Sequence, residues 1–395
     1  MLSQALDGIR VLDLTGFMAG PYGSMMLADL GAEVIKVERT GTGDDARAIP
    51  PFVEGESSYF ISLNRNKKSL TLNLKTDEGK KIIYDLIRHS DVFLENFQPG
   101  TTKKLGVDYE TVSKINPRIV YCSISGFGQD GPYRNRVAYD LIVLGMGGVL
   151  GLTGEKEGVP VKPGVGFSDI IAGMFAVYGV LAALIARQKI KKGQYIDVSL
   201  LDGQIAMLTY QASNYFITGK VPERMGTQHP AVVPYGVFKT EDSYISLVVA
   251  NDTMWRRLCK ALGVEDLAVD PRFQTVADRV RNRNEVNQML ERIFATKQTS
   301  ELVALLEKAE VASGPVYSLD EVFKDLQVLH RGMVAEIDHP KSGKIKVGGI
   351  PVKLSETPGN IRSPPPMLGQ HTREILEGLG YSQDKIDELR KKGVI

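Results

Sequence analysis

The chain has 395 residues, 43% hydrophobic and 24% charged, and its 48 Lys and Arg against 47 Asp and Glu give a formal net charge of +1. That length points to two or three domains, and so even a balance offers no global field to steer the protein to nucleic acid or to an anionic membrane, so an anionic ligand must be held by a local cluster. Cys122 and Cys259 stand far apart and suggest neither a disulfide framework nor a zinc site; the opening MLSQALDGIRVLDL lacks the apolar region of a signal peptide, so a cytoplasmic enzyme is expected.

Residues 9–14 (IRVLDL) read as a strand, followed by a turn of small residues over 16–23 and a helix through Met25, Met26 and Leu27 that stops at Gly31. Residues 33–38 (EVIKVE) are the next strand. Strand, turn, helix and strand within about 30 residues form a βαβ unit, which implies a parallel sheet covered by helices. Further strands are expected at 69–74, 92–97 and 119–123, with a helix over 77–89 capped by Thr76 or Asp77.

Residues 163–187 hold a glycine-broken turn (Gly164, Gly166), then Ser168 and Asp169, then an apolar run with no charge until Arg187. The run approaches the ~20 residues needed to cross a bilayer. It begins at a charge, lacks an aromatic belt and carries Gly173, Ala176, Gly179 and Ala183 on closely related faces, so it reads as a core helix and no membrane partner is expected. A strand at 195–200 and a helix at 201–218 follow. Pro222, Gly226, Pro230 and Pro234 then break regularity and mark a domain boundary.

Beyond it come a hairpin at 236–239 and 244–249, helices at 253–262, 276–294, 300–309 and 319–326, and a second hairpin at 333–337 and 344–347. The prolines of 364–366 precede helices at 372–378 and 382–392. The pattern is α/β, doubly wound over 1–220, with a smaller α+β domain over 221–328 and a C-terminal segment, 329–395, expected to return to the first domain.

Several chemistries lack support. The turn GFMAGPYG has three glycines but not the G-x-G-x-x-G spacing, and Pro21 offers no N–H to a pyrophosphate, so neither nicotinamide nor flavin is expected. There is no P-loop sequence and no G-x-S-x-G elbow. The five histidines form no HExxH and no close pair, so no metal is expected. Ser168 and Asp169 are good helix N-caps, yet a carboxylate at the positive end of a helix is also well placed to meet a ligand; the two readings are compatible. Arg39, Lys75 and the segment Glu95-Asn96-Phe97 follow expected strand ends, which converge on one crevice in such a sheet and together suit a phosphate-rich ligand.

The segments VLDLTGFMAGPYGSMMLADLGAEVIKVERTGTGD, NRNKKSLTLNLKTDEGK, ENFQPG, SISGFGQDGPY, GVGFSDIIAG, KKGQYIDVSLLDG and LGQHTREIL, in this order, resemble family III CoA-transferases. That group includes formyl-CoA transferase and carnitine CoA-transferase and also contains α-methylacyl-CoA racemases. The resemblance runs from about Leu6 to the C-terminus. It implies a Rossmann-like large domain, an interlocked homodimer, and coenzyme A entering as the acyl-CoA co-substrate of a small carboxylic acid.

By the same resemblance Asp169 is the nucleophile that takes the acyl group and then CoA, which a carboxylate can do without a histidine to activate it. Arg39, Lys75 and Lys104 would meet the adenosine phosphates. Met18, Ala19, Leu72, Asn73, Leu74, Asn96, Phe97, Arg136 and Tyr139 would line adenine, pantetheine and thioester, with N–H groups near Ala19 available to an oxyanion. Met18 stands where formyl-CoA transferase has a glutamine and cannot hydrogen-bond a small diacid, which weighs against oxalate or formate. Asp140, His229 and Tyr235 are candidates for the acyl pocket. Racemases of this fold place a histidine where this chain has Tyr139, and a tyrosine of pKa ~10 would need a shift of about three units, roughly 4 kcal/mol, to serve as a comparable base. A CoA-transferase is therefore expected ahead of a racemase or a non-catalytic CoA-binding protein.

Overall fold

The computed structural model describes residues 4–395. The chain divides into two compact units, one made of the chain through Val149, Lys162–Ile217 and Gln327–Ile395, the other of Leu150–Val161 and Thr218–Leu326. Residues 150–161 thus group with the second unit although they fall inside the stretch 1–220.

The first unit is built on a six-stranded sheet of β1 (Arg10–Asp13), β2 (Glu33–Glu38), β3 (Lys67–Thr71), β4 (Val92–Glu95), β5 (Val120–Ser125) and β6 (Tyr195–Ser199). Every pairing is parallel, and the spatial order is β3-β2-β1-β4-β5-β6. These strands are short apolar runs, and β4 and β5 are buried along their whole length, as a sheet covered on both faces requires. One face is covered by helices Ala19–Asp29 and Phe167–Ile190, whose Leu27, Ala28, Ala172, Ala176 and Val180 join a single buried cluster. The other is covered by Asp77–Arg88, Tyr109–Ile115 and the terminal helices Thr372–Gly378 and Gln383–Lys391, which contribute Ile82, Leu86, Val112, Ile375 and Leu389. Thr76 is the cap of Asp77–Arg88, its hydroxyl accepting the Gly79 N–H at 3.0 Å.

The small residues of the long helix explain its packing. A Cβ on Gly173 would lie 2.6 Å from the Ala19 carbonyl oxygen, and one on Gly23 would lie 3.0 Å from that of Gly173. The two helices therefore cross with their backbones nearly in contact, and this crossing sets the start of one beside the start of the other.

The second unit has its own core of Trp255, Leu258, Phe273, Val286, Leu290, Phe294, Leu302 and Leu306. A three-stranded antiparallel sheet carries it, with Tyr235–Lys239 and Tyr244–Val248 as the expected hairpin. Its third strand, Ala312–Pro315, pairs with Tyr244–Val248 and was hidden in sequence because Ser-Gly-Pro reads as a turn.

Other boundaries shift for local reasons. The expected strand at 92–97 stops at Glu95, because the Glu95 carboxylate accepts the Phe97 N–H at 2.9 Å and folds the chain out of the ladder. The expected helix at 276–294 is two helices, Val276–Arg281 and Arg283–Phe294, parted at Asn282, whose side-chain amide turns back to the Asp278 carbonyl at 3.1 Å.

Candidate active site

In an open parallel sheet, ligands bind beyond the strand C-termini where the strand order reverses, here between β1 and β4. The two exits are clasped together: the Asn96 side chain accepts the Gly16 N–H at 2.9 Å and donates to the Gly16 carbonyl at 2.8 Å. Between Gly16 and the helix, Phe17 adopts φ 60, a left-handed conformation that a bulky residue keeps only when its surroundings enforce it. Asp44 does so by accepting the Phe17 N–H at 3.1 Å.

Under this turn lies a buried ionic floor. Lys36 pairs with Asp44 at 2.8 Å and donates to the Thr15 carbonyl at 2.7 Å. Lys67 lies 3.3 Å from Asp13 and donates to the Pro21 carbonyl at 2.9 Å and to Asn64 at 2.8 Å. Burial alone would raise the Asp13 carboxyl, but Lys67 and Lys36 hold it below its ordinary value. Burial pushes Lys67 down to about 8, although Asp13 opposes the shift. The two bonds to the Thr15 and Pro21 carbonyls tie that stretch of backbone to the sheet.

Above the floor stands Asp169. The helix begins at Phe167, after Gly166, so Asp169 is its third residue and neither it nor Ser168 caps it. The capping reading of these residues is thereby corrected. Asp140 substitutes for a cap from outside the helix, its Oδ1 accepting the Ser168 N–H at 2.8 Å and the Ser168 hydroxyl at 2.6 Å. Asp169 itself makes no side-chain hydrogen bond among the described residues. Burial, and next the negative charge of Asp140, push its carboxyl up to about 6, while Lys162, which sits 3.7 Å from Asp140, pulls the other way. A carboxylate with this affinity for a proton is mostly ionised at neutral pH and more basic than a solvated aspartate.

Asp169 opens on a cavity of about 290 Å³ that also receives Met18, Ala19, Asn96, Phe97, Arg136 and Tyr139. Met18 packs against Gly166, where a Cβ would meet its sulfur at 2.4 Å. Ala19 and Gly20 open their helix, where N–H groups lack intrahelical partners. Ala138 presses on Gly126, where a Cβ would fall 2.1 Å from its own, and this contact seats the Arg136–Tyr139 segment at the end of β5. A neighbouring cavity of about 420 Å³ is lined by Arg39, Leu72, Asn73, Leu74 and Lys75, with Phe97 common to both. Arg39 there pairs with Asp45 and donates to the Gly43 carbonyl at 3.1 Å, an exposed pair of the kind worth only ~0–1 kcal/mol and readily exchanged for another anion. Lys104 lies on the adjoining helix Thr101–Leu105, whose Leu105, rather than Lys104, lines that cavity. His229 and Tyr235 lie in the second unit, their rings 5.3 Å apart.

Two residues of the first cavity carry no sequence signal. Tyr59 lines it, and its phenol is pushed up to about 12 by burial and next by the charge of Asp169. Arg134 lines it two positions before Arg136. Glu95 acts from beneath: it takes the Ser123 hydroxyl and the Phe97 N–H, and burial raises it to about 7. No group of His, Cys, Asp and Glu fit to hold a metal ion occurs among the described residues.

The family model described as CoA-transferase family III matches residues 6–372. The chain belongs to CoA-transferase family III. It is 45% identical to succinyl-CoA:glutarate CoA-transferase of Mus musculus, over 99% of this chain and 90% of that one. It is 42% identical to succinate–glutarate CoA-transferase of Agrobacterium fabrum, over 95% of each chain. Among solved structures, a CaiB/BaiF family protein from Brucella suis is 39% identical, with a TM-score of 0.87 over 95% of this chain and 100% of its own. This family III member is accordingly a CoA-transferase, with the mixed α/β architecture of its CaiB/BaiF neighbours.

Proposed function

We propose that this family III enzyme moves coenzyme A from an acyl-CoA donor to a carboxylic acid through covalent intermediates on Asp169, with short dicarboxylic acids as its substrates. The observation that carries the reading is Asp169 itself, an acid with no hydrogen-bond partner among the described residues, held at a helix start on the cavity wall. The substrate class is supported by relatives in mouse and in Agrobacterium fabrum whose names pair succinate with glutarate.

An Asp169 oxygen attacks the thioester carbonyl, the C–S bond breaks, and a mixed anhydride and CoA thiolate result. The thiolate attacks the Asp169 acyl carbon, forms the aspartyl-CoA thioester and releases the donor acid. The acceptor carboxylate then attacks that thioester, a second anhydride forms, and the thiolate takes the acceptor acyl group and frees Asp169. Thioester energy is kept throughout, so exclusion of water is essential. The N–H groups at Ala19 and Gly20 are the candidates to hold each tetrahedral oxyanion. Arg39 and Lys75 line the cavity suited to the adenosine phosphates, with Lys104 on the helix beside it, and Phe97 lies on the path between the cavities.

Replacing the nucleophile tests this directly. Asp169→Asn keeps the shape of the site and is expected to lower exchange between succinyl-CoA and glutarate at least about a thousandfold while free CoA still binds. In the wild-type enzyme, mass spectrometry after incubation with succinyl-CoA alone should find CoA on the peptide that contains Asp169. Appreciable turnover by Asp169→Asn overturns the mechanism.

We propose further that the enzyme works as a homodimer. Helix Phe167–Ile190 leaves Met174, Tyr178 and Ile185 exposed at 51%, 72% and 67%, and Phe216 and Ile217 lie open on helix Thr209–Thr218. An apolar surface of that kind marks an interface. Sedimentation at twice the chain mass is the expected result, and a stable monomer refutes it.

A further inference from the structure

The charges of the Asp169 cavity are unequal. It receives one carboxylate, Asp169, and two guanidinium groups, Arg134 and Arg136. Arg136 is engaged by aromatic faces, its guanidinium carbon 4.6 Å from the Tyr133 ring and 5.7 Å from that of Phe127. Arg134 is exposed, and its side chain has no acidic, carbonyl or aromatic partner among the described residues. Its backbone is nonetheless held, since the Arg136 N–H donates to the Tyr133 carbonyl at 2.8 Å and Gln98 donates to the Asn135 carbonyl at 3.3 Å. The result is an unpaired cation on a tethered segment that faces the nucleophile's cavity.

We propose that Arg134 binds the distal carboxylate of a dicarboxylic substrate, so that the enzyme selects diacids by charge. This rests on the reading of Asp169 as the nucleophile of CoA transfer. With Asp169 ionised, a donor acyl group ending in a carboxylate brings a second negative charge against the two guanidinium groups. Once Asp169 is a thioester it is neutral, and the incoming acceptor is a dianion that faces the same two cations. The charges balance at both stages. A monocarboxylic substrate leaves one positive charge uncompensated at each. Arg is suited to the task because its planar fork meets a carboxylate with two parallel hydrogen bonds.

The test uses the full-length enzyme and the substitutions Arg134→Gln and Arg134→Lys. Arg134→Gln should raise KM for glutarate and for succinyl-CoA about ten- to hundredfold, while competitive inhibition by free CoA stays within about twofold of wild type. Retained CoA inhibition also shows that the variant is folded, and Arg134→Lys should recover part of the loss. An Arg134→Gln enzyme with unchanged KM for both diacid substrates overturns the assignment. So does an equal weakening of free CoA, which would put the arginine on a phosphate. These outcomes are separate from a failure of the transfer mechanism, which would show as an active Asp169→Asn enzyme.

Discussion

Below and above the turn that carries Met18, the molecule uses the same residue types in opposite ways. Below it, Asp13, Lys36, Asp44 and Lys67 are buried and each meets an opposite charge. Above it, Asp169 and Arg134 have no hydrogen-bonding or ionic partner among the described residues. Desolvated charges are tolerated only when paired and hydrogen-bonded; Lys67 meets a carboxylate, a carbonyl and an amide oxygen, and Lys36 a carboxylate and a carbonyl. Such a floor cannot easily reorganise, so the turn and the Ala19 helix start stay fixed. The cavity charges are left for substrate to satisfy. Rigidity and reactivity are separated by one turn of chain.

The most damaging way to break this arrangement is to unpair the floor. Lys67→Met removes the cation nearest Asp13 and the donor to Pro21 and Asn64. A buried pair that loses one member destabilises by about 3–5 kcal/mol, and urea unfolding should read a loss of that order. Adding Asp13→Asn should restore part of it, because the stranded charge is then gone. A single variant with wild-type stability would mean that the floor is not what holds the turn.

The contrast also explains what could be read from sequence. The sheet was legible because buried parallel strands are short apolar runs separated by helix-period segments, and Thr76 and Gly31 punctuate them plainly. Asp169 stood out through its turn and the apolar run behind it. The floor was invisible: Asp13 and Lys36 lie inside strand-like runs, Lys67 lies just before the run expected at 69–74, and all three resemble ordinary surface charges until the sheet order brings β1, β2 and β3 side by side. Tyr59 and Arg134 were missed for the same reason, since neither sits in a spacing that means anything locally, and only the tertiary fold brings them to Asp169. The strand Ala312–Pro315 was lost to its glycine and proline, whose turn preference is overridden by pairing with Tyr244–Val248.

A smaller effect, of opposite sign, is expected above the turn. In the folded chain Asp169 holds its proton up to about pH 6, against an ordinary carboxyl value of 3.8. A group whose affinity for a proton rises on folding contributes stability below its unfolded value and loses it as pH rises through the folded one. At pH 8 the ionised Asp169 therefore weakens the fold. Asp169→Asn should be more stable than wild type by about 1–3 kcal/mol at pH 8, after allowance for its partial exposure, and the gain should vanish near pH 3. The inactive enzyme would be the sturdier one, as expected where reactivity is maintained at the expense of stability. Equal unfolding midpoints at pH 8 would mean that Asp169 ionises in the fold as easily as in water.

The finest probe separates the two roles of Asp140, which holds the helix start and also repels the nucleophile. Asp140→Asn retains an oxygen that can accept the Ser168 N–H and hydroxyl, so the first turn of Phe167–Ile190 should stay in place. It removes the negative charge that is the second cause of the raised Asp169 value, and it frees Lys162, whose charge acts in the lowering direction. Both changes have the same sign. The acid limb of kcat/KM, which in the wild type should fall below about pH 6 as Asp169 takes its proton, is expected to move to lower pH. The move should be partial, because burial is the larger cause and remains. A less basic nucleophile is also a weaker one, so the plateau at neutral pH should drop while the limb moves. A limb that stays near pH 6 would assign the raised value to burial alone and leave Asp140 only its hold on Ser168.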